Sequence, residues 1–152
     1  MEGGDDVLRG YGGDDLIQGN FGDDLIEGGD GDDMLYGQFG DDKVYGGEGD
    51  DTMYGDDATT VSYGIMFGND KLVGGLGDDT IYGGPGDDKL YGGENDDSLY
   101  GNAGEDIIYG GAGDDDIDSG YGWDTIFGGD GCDTIVARDG GDVIWLGDCP
   151  YG

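Results

Sequence analysis

The chain has 152 residues, of which 38 are acidic, five basic and none histidine, for a formal net charge of −33. Such a polyanion is repelled by nucleic acid and by anionic membrane surfaces, and it favours cations as partners. Glycine fills 40 positions while Leu, Ile, Val and Phe together fill 29, so composition alone predicts a disordered acidic tail, which only the order of residues can overturn. No apolar run reaches the length of a transmembrane helix, and no membrane insertion is expected. The opening stretch MEGGDDVLRG lacks the basic and apolar regions of a cleavable signal peptide. Export by another route, or a chain that is part of a larger product, are the readings this leaves.

The order of residues does overturn the disordered reading. From the first unit onward an aspartate recurs every nine residues: Asp6, Asp15, Asp24, Asp33, Asp42 and Asp51. After one interruption it resumes with Asp70, Asp79, Asp88, Asp97, Asp106, Asp115, Asp124, Asp133 and Asp142. Two residues after each stands an apolar side chain, from Leu8 and Ile17 through Leu35 and Ile81 to Ile135 and Ile144. Glycine precedes the aspartate by two positions almost throughout, Asn95 being the departure. Self-similarity at a fixed short period is the mark of a solenoid.

Each unit reads as a six-residue glycine-aspartate turn followed by a three-residue strand such as Met34-Leu35-Tyr36. Glycine supplies the tight backbone approach such turns need. Only the middle strand residue points inward, because side chains alternate along a strand. Two units then form one coil of eighteen residues, and coils stack as parallel strands about 4.8 Å apart. The expected fold is all-β, a parallel β-roll occupying residues 1–152 as one domain. A first repeat block spans 1–54, an interrupted stretch 55–73 and a second block 74–136, with a cap over 137–152.

The interrupted stretch adds ten residues. The simpler account is a degenerate unit at 55–63 followed by a ten-residue unit at 64–73, which lacks at least one cation. The alternative is an insertion loop that recognises something through Tyr63, Met66 and Phe67. Near the C-terminus the residue before the constant aspartate changes to Trp123, Cys132 and Gly141. Solenoids need a terminal unit that closes the stack, and VIWLGDCPYG has the composition of one. Cys132 and Cys149, one coil less one residue apart, fall on the same edge in adjacent turns, within reach of a disulfide. Two unpaired small residues are the bland alternative. If paired, they place the protein in an oxidising compartment.

Stacking sets each aspartate above the one eighteen residues earlier. Two unit charges at about 4.8 Å repel by roughly 1 kcal/mol in water and about 3 kcal/mol at a surface-like dielectric. A core one side chain deep cannot offset that along two edges, so the stack needs divalent cations between its turns. Calcium fits best, being hard, oxygen-seeking and tolerant of irregular coordination. The lack of histidine and the presence of only two cysteines disfavour zinc and copper.

The units GGDGDDMLY at 28–36 and GGPGDDKLY at 83–91 match G-G-x-G-x-D-x-U-x at every fixed position, and the sequence resembles the RTX, or repeats-in-toxin, family. The resemblance implies a right-handed parallel β-roll with calcium between stacked turns, held by aspartate carboxylates and turn carbonyls. Carried residue by residue, it makes the constant aspartates from Asp6 to Asp133 the candidate calcium ligands. It also implies a calcium-triggered folding and secretion module of extracellular bacterial proteins, fused to a toxin, protease, lipase or adhesin. The cysteines depart from members exported by type I secretion, which puts that route in doubt.

Tyrosine recurs at the ninth position, as Tyr36, Tyr45, Tyr54, Tyr82, Tyr91, Tyr100 and Tyr109, forming an outward ladder on each face. These rings either cover a half-exposed sheet or offer an aromatic platform to a glycan or another protein. No regular threonine ladder marks an ice-binding face. The leading functional expectation is a non-enzymatic calcium-binding module, secreted or at the cell surface. Two alternatives stand beside it. One is an adhesin, surface-layer, matrix or filament component that self-associates head to tail through an open end or uses its tyrosine faces. The other is a fragment of a secreted hydrolase or toxin whose fused domain lies elsewhere.

Overall fold

A computed structural model describes residues 3–56 and 67–149. In chain order the strands are β1 (Val7–Gly12), β2 (Leu16–Phe21), β3 (Leu25–Asp30), β4 (Met34–Phe39), β5 (Lys43–Glu48), β6 (Thr52–Tyr54), β7 (Lys71–Leu76) and β8 (Thr80–Pro85). They continue as β9 (Lys89–Glu94), β10 (Ser98–Ala103), β11 (Ile107–Ala112), β12 (Asp116–Gly120), β13 (Thr125–Asp130), β14 (Thr134–Ala137) and β15 (Val143–Trp145). Odd-numbered strands form one sheet and even-numbered strands the other, in sequence order, with every pairing parallel. Successive units thus alternate between two facing sheets, the β-roll expected from a nine-residue repeat with an eighteen-residue coil.

Most strands run six residues, twice the expected three. The ladder does not stop at the ninth position of the repeat: Gly111 pairs with Gly129 and Ala112 with Asp130, just as Ile108 pairs with Ile126. The first half of each expected turn is strand, and the bend is confined to about three residues around the aspartates. Identical neighbours explain this. When every coil bends at the same point, the bending residues still face their counterparts and their N–H and C=O groups pair from coil to coil. The one unit without a glycine before its aspartate shows how the bend is kept: Asn95 has φ 85°, a left-handed conformation that asparagine tolerates better than most residues.

Register across the interruption corrects the degenerate-unit expectation. Val44 pairs with Leu72 and Met53 with Ile81, each 28 residues apart, one coil plus ten. Had 55–63 and 64–73 each supplied a strand, β7 would share a sheet with β6; it lies on the opposite sheet. A single unit therefore starts at Gly55 and Asp56 and is completed by Phe67, Gly68, Asn69 and Asp70. Ten residues, 57–66, enter between its second and third positions. Of the proposed recognition residues, Tyr63 and Met66 lie outside the described residues, and Phe67 is exposed.

The core is the expected double row. Ile26, Leu35, Val44, Met53, Leu72, Ile81, Leu90, Leu99, Ile108, Ile117 and Ile126 are all fully buried, with Leu8, Ile17 and Ile135 partly so. Ile144, the last member, is 41% exposed, and its neighbours Trp145 and Leu146 are more so. The described part of the expected cap, 137–149, thus continues the roll with β15 as an edge strand and does not cover it.

Candidate metal centre

The constant aspartates stand just before the strands, so the two sheets place them in two edge rows. Asp6, Asp24, Asp42, Asp70, Asp88, Asp106, Asp124 and Asp142 line one edge. Asp15, Asp33, Asp51, Asp79, Asp97, Asp115 and Asp133 line the other. In both rows, from Asp24 to Asp142, each Oδ1 accepts the N–H of the constant aspartate one coil earlier, at 2.7–3.1 Å. The interruption breaks neither row: Asp42 donates to Asp70 and Asp51 to Asp79, both at 2.8 Å.

The other carboxylate oxygen has nothing. From Asp15 to Asp133 every constant aspartate has a buried Oδ2 without a hydrogen-bond partner. The residues of the row from Asp24 to Asp124 are 1–3% exposed. Each Oδ2 is packed against the first glycine of its repeat. A side-chain carbon at Gly46 would overlap both Asp51 Oδ2 and the carbonyl oxygen of Gly74, and at Gly92 it would overlap Asp97 Oδ2 and the Gly110 carbonyl. These glycines are required because a carboxylate and a carbonyl oxygen from the next coil crowd the space a Cβ would take. Ser119 is the exception in that position, and its hydroxyl is likewise buried without a partner.

A second acidic series, which in the sequence is only a variable position, has a defined task. Asp5, Asp14, Asp23, Asp32, Asp41 and Asp50, then Asn69, Asp78, Asp87, Asp96 and Asp114, each accept on Oδ1 the N–H of the residue one coil later, at 2.8–3.2 Å. The two carboxylate ladders thus point in opposite directions along the roll. The signal for this ladder lies in Asn69 standing in a row of Asp, both short acceptors.

Burial raises the constant aspartates from Asp24 to Asp115. It pushes Asp51 and Asp115 to about 6, Asp42, Asp79, Asp88 and Asp97 to about 7, Asp106 to about 8 and Asp70 to about 9, with neighbouring carboxylates adding to the shift and the backbone N–H bonds opposing it. No basic side chain relieves this. Among the described residues the ion pairs are Arg9 with Glu27 and Arg138 with Asp118, both on the outer faces. Buried anionic oxygens without a counter-charge call for a cation. The donors present are carboxylate and carbonyl oxygen, the set a hard divalent ion takes. Among the described residues no three acidic, histidine or cysteine side chains meet at one point, so a cation here draws on backbone carbonyls as well.

A family model described as the RTX calcium-binding nonapeptide repeat matches residues 2–35, 27–58, 66–99, 91–122 and 118–148. The chain belongs to the RTX calcium-binding nonapeptide repeat family. No curated protein matches it. The family binds calcium, and the buried aspartates of this RTX roll suit that ion.

The RTX roll carries its aromatic residues outside, as expected, but stacked on one another. Tyr36, Tyr54, Tyr82 and Tyr100 form one ladder with ring centroids 4.7–4.9 Å apart and planes within 10°. Tyr91, Tyr109, Phe127 and Trp145 form another at 4.5–4.9 Å. Val73 interrupts the second ladder after Tyr45, and the Lys71 ammonium fills the gap, 4.8 Å from the Tyr45 ring centre and 5.7 Å from that of Tyr91. Stacking covers the ring faces and leaves edges and hydroxyls outward. The cysteines meet the expectation: Cys132 and Cys149 are joined by a disulfide, their Cα atoms 4.6 Å apart.

Proposed function

We propose that this RTX chain is a calcium-folded structural module that works outside the cell and performs no chemistry itself. The observation that carries the reading is the pair of edge rows in which every Oδ2 from Asp15 to Asp133 is buried and unpartnered. In water an unfolded chain solvates these carboxylates. Folding without a cation strips that hydration from Oδ2 and offers it nothing in return, so ion binding and folding become one event. The aspartates Asp6 to Asp133 are the ligands in this reading, with turn carbonyls completing each site. Millimolar calcium, the range that extracellular modules use, then switches the chain from a threadable polyanion to a roll. The Cys132–Cys149 disulfide supports an oxidising surrounding.

Far-UV circular dichroism at neutral pH tests this. Calcium is expected to convert a coil spectrum to a β spectrum, and a chelator to reverse it. A chain that keeps its full β signal in chelator at neutral pH would defeat the reading.

A further inference from the structure

Asp56 stands outside the nine-residue phase. It takes the second position of the unit that 57–66 interrupt, a position that glycine holds in the neighbouring units as Gly47, Gly75 and Gly84. Its side chain is nonetheless buried, 4% exposed. Oδ2 accepts the N–H of Gly68 at 2.7 Å, while Oδ1 is buried with no partner. This repeats the division found along the edge rows, where one oxygen caps a backbone N–H and the other is orphaned.

The bond to Gly68 has its own consequence. In other units the glycine at this position donates to a carbonyl of the next coil, as Gly86 does to Ala103 at 2.9 Å. Here the Asp56 carboxylate takes the N–H and ties together the two ends between which the ten residues enter. The carboxylates of Asp41, Asp42, Asp70 and Asp88 each act electrostatically on Asp56 or are acted on by it. Asp56 takes part in no ion pair among the described residues; the Lys71 ammonium bonds the Tyr45 hydroxyl at 3.1 Å. Burial is the main cause that pushes Asp56 to about 6.

We propose that Asp56 is an additional calcium ligand, its free Oδ1 acting beside the Asp70 carboxylate and turn carbonyls, so that the interrupted turn is a cation site with one carboxylate more than its neighbours. The inference rests on the calcium-folding reading. It assigns the insertion a metal-held neck, where the sequence suggests a turn that lacks an ion.

Native mass spectrometry of the full chain in calcium tests it, with two variants. Asp56→Asn keeps an acceptor for Gly68 without the charge, and Asp56→Gly restores the residue of neighbouring units. The expected result is that a variant that folds on calcium, by circular dichroism, holds one of its calcium ions more weakly than the parent and loses that ion first as free calcium is lowered. A folded variant that keeps the parental complement at every calcium concentration overturns the inference and leaves the calcium-folding reading standing. If neither variant folds at the parental calcium level, folding of Asp56→Asn at higher calcium supports the inference, and no folding at any calcium concentration overturns it, since a weakened site is recovered by more ion. A parent that takes up no calcium removes the larger reading and this one together.

Discussion

Asn69 accepts the N–H of Asp87 at 2.8 Å in the same manner as Asp41 and Asp50 accept those of Asn69 and Asp78 at 3.0 Å. The position before the constant aspartate therefore needs a short acceptor oxygen, not a charge. Glu105, one carbon longer, forms no such bond among the described residues, and the ladder passes over Trp123. The constant position differs, because its second oxygen is buried against glycine. In the calcium-folding reading proposed above, an amide there would lack the charge that draws a cation to this oxygen. The expected outcome is that Asp87→Asn leaves the calcium midpoint for folding unchanged. Asp79→Asn raises it about tenfold, equivalent to roughly 1.4 kcal/mol. Calcium titrations followed by circular dichroism compare the two; equal midpoints would show that the rows are not differentiated as the geometry requires.

At the scale of elements, the periodicity announces the alternation of strands, the inward row from Leu8 to Ile144 and the edge placement of the aspartates, because all three follow from phase alone. Three things are not legible in it. Strand length is hidden because Gly111 and Ala112 look like turn residues, and only the presence of identical neighbours lets them pair. The interruption misleads because Gly55 and Tyr63 imitate a unit, whereas the 28-residue register between β5 and β7 counts strands directly. Asp56 is invisible because its role depends on Gly68, twelve residues away. The last coil is the element with least support. β15 pairs on one side only, Ile144 is partly exposed, and the backbone bonds joining Asp148 to Gly129 and Gly131 are 3.2 Å long. The disulfide closes a 17-residue separation, which on loop-closure grounds contributes about 3 kcal/mol. Cys149→Ser is expected to speed hydrogen exchange at Val143–Trp145 in calcium while the amides of β8 to β11 stay protected. Uniform loss of protection along the roll would instead make the disulfide a determinant of the whole fold.

For the whole molecule, protons and calcium are alternative means of neutralising the same oxygens. Without calcium the buried aspartates hold protons more tightly in the roll than in the unfolded chain, since burial raises them from 3.8 to between about 6 and about 9. A raised carboxylate favours the folded state at low pH. The contribution is complete below about 4, where both states are protonated, and is lost as pH rises through the folded values. A tenfold tighter hold on one proton is worth about 1.4 kcal/mol, less where solvent screens the group, so several such groups decide the balance for a chain with so thin a core. In calcium-free buffer the chain is expected to be coil-like at pH 8 and to gain β signal as pH falls from 7 to 5. Its scattering radius should shrink over the same range from the ~40 Å of an unfolded chain this long. In saturating calcium the β signal should already be present at pH 8. If the calcium-free chain stays coil-like at pH 5 while calcium folds it at pH 8, charge neutralisation is insufficient. The ion would then act by drawing carboxylates and carbonyls of adjacent turns onto one centre, a role protons cannot perform.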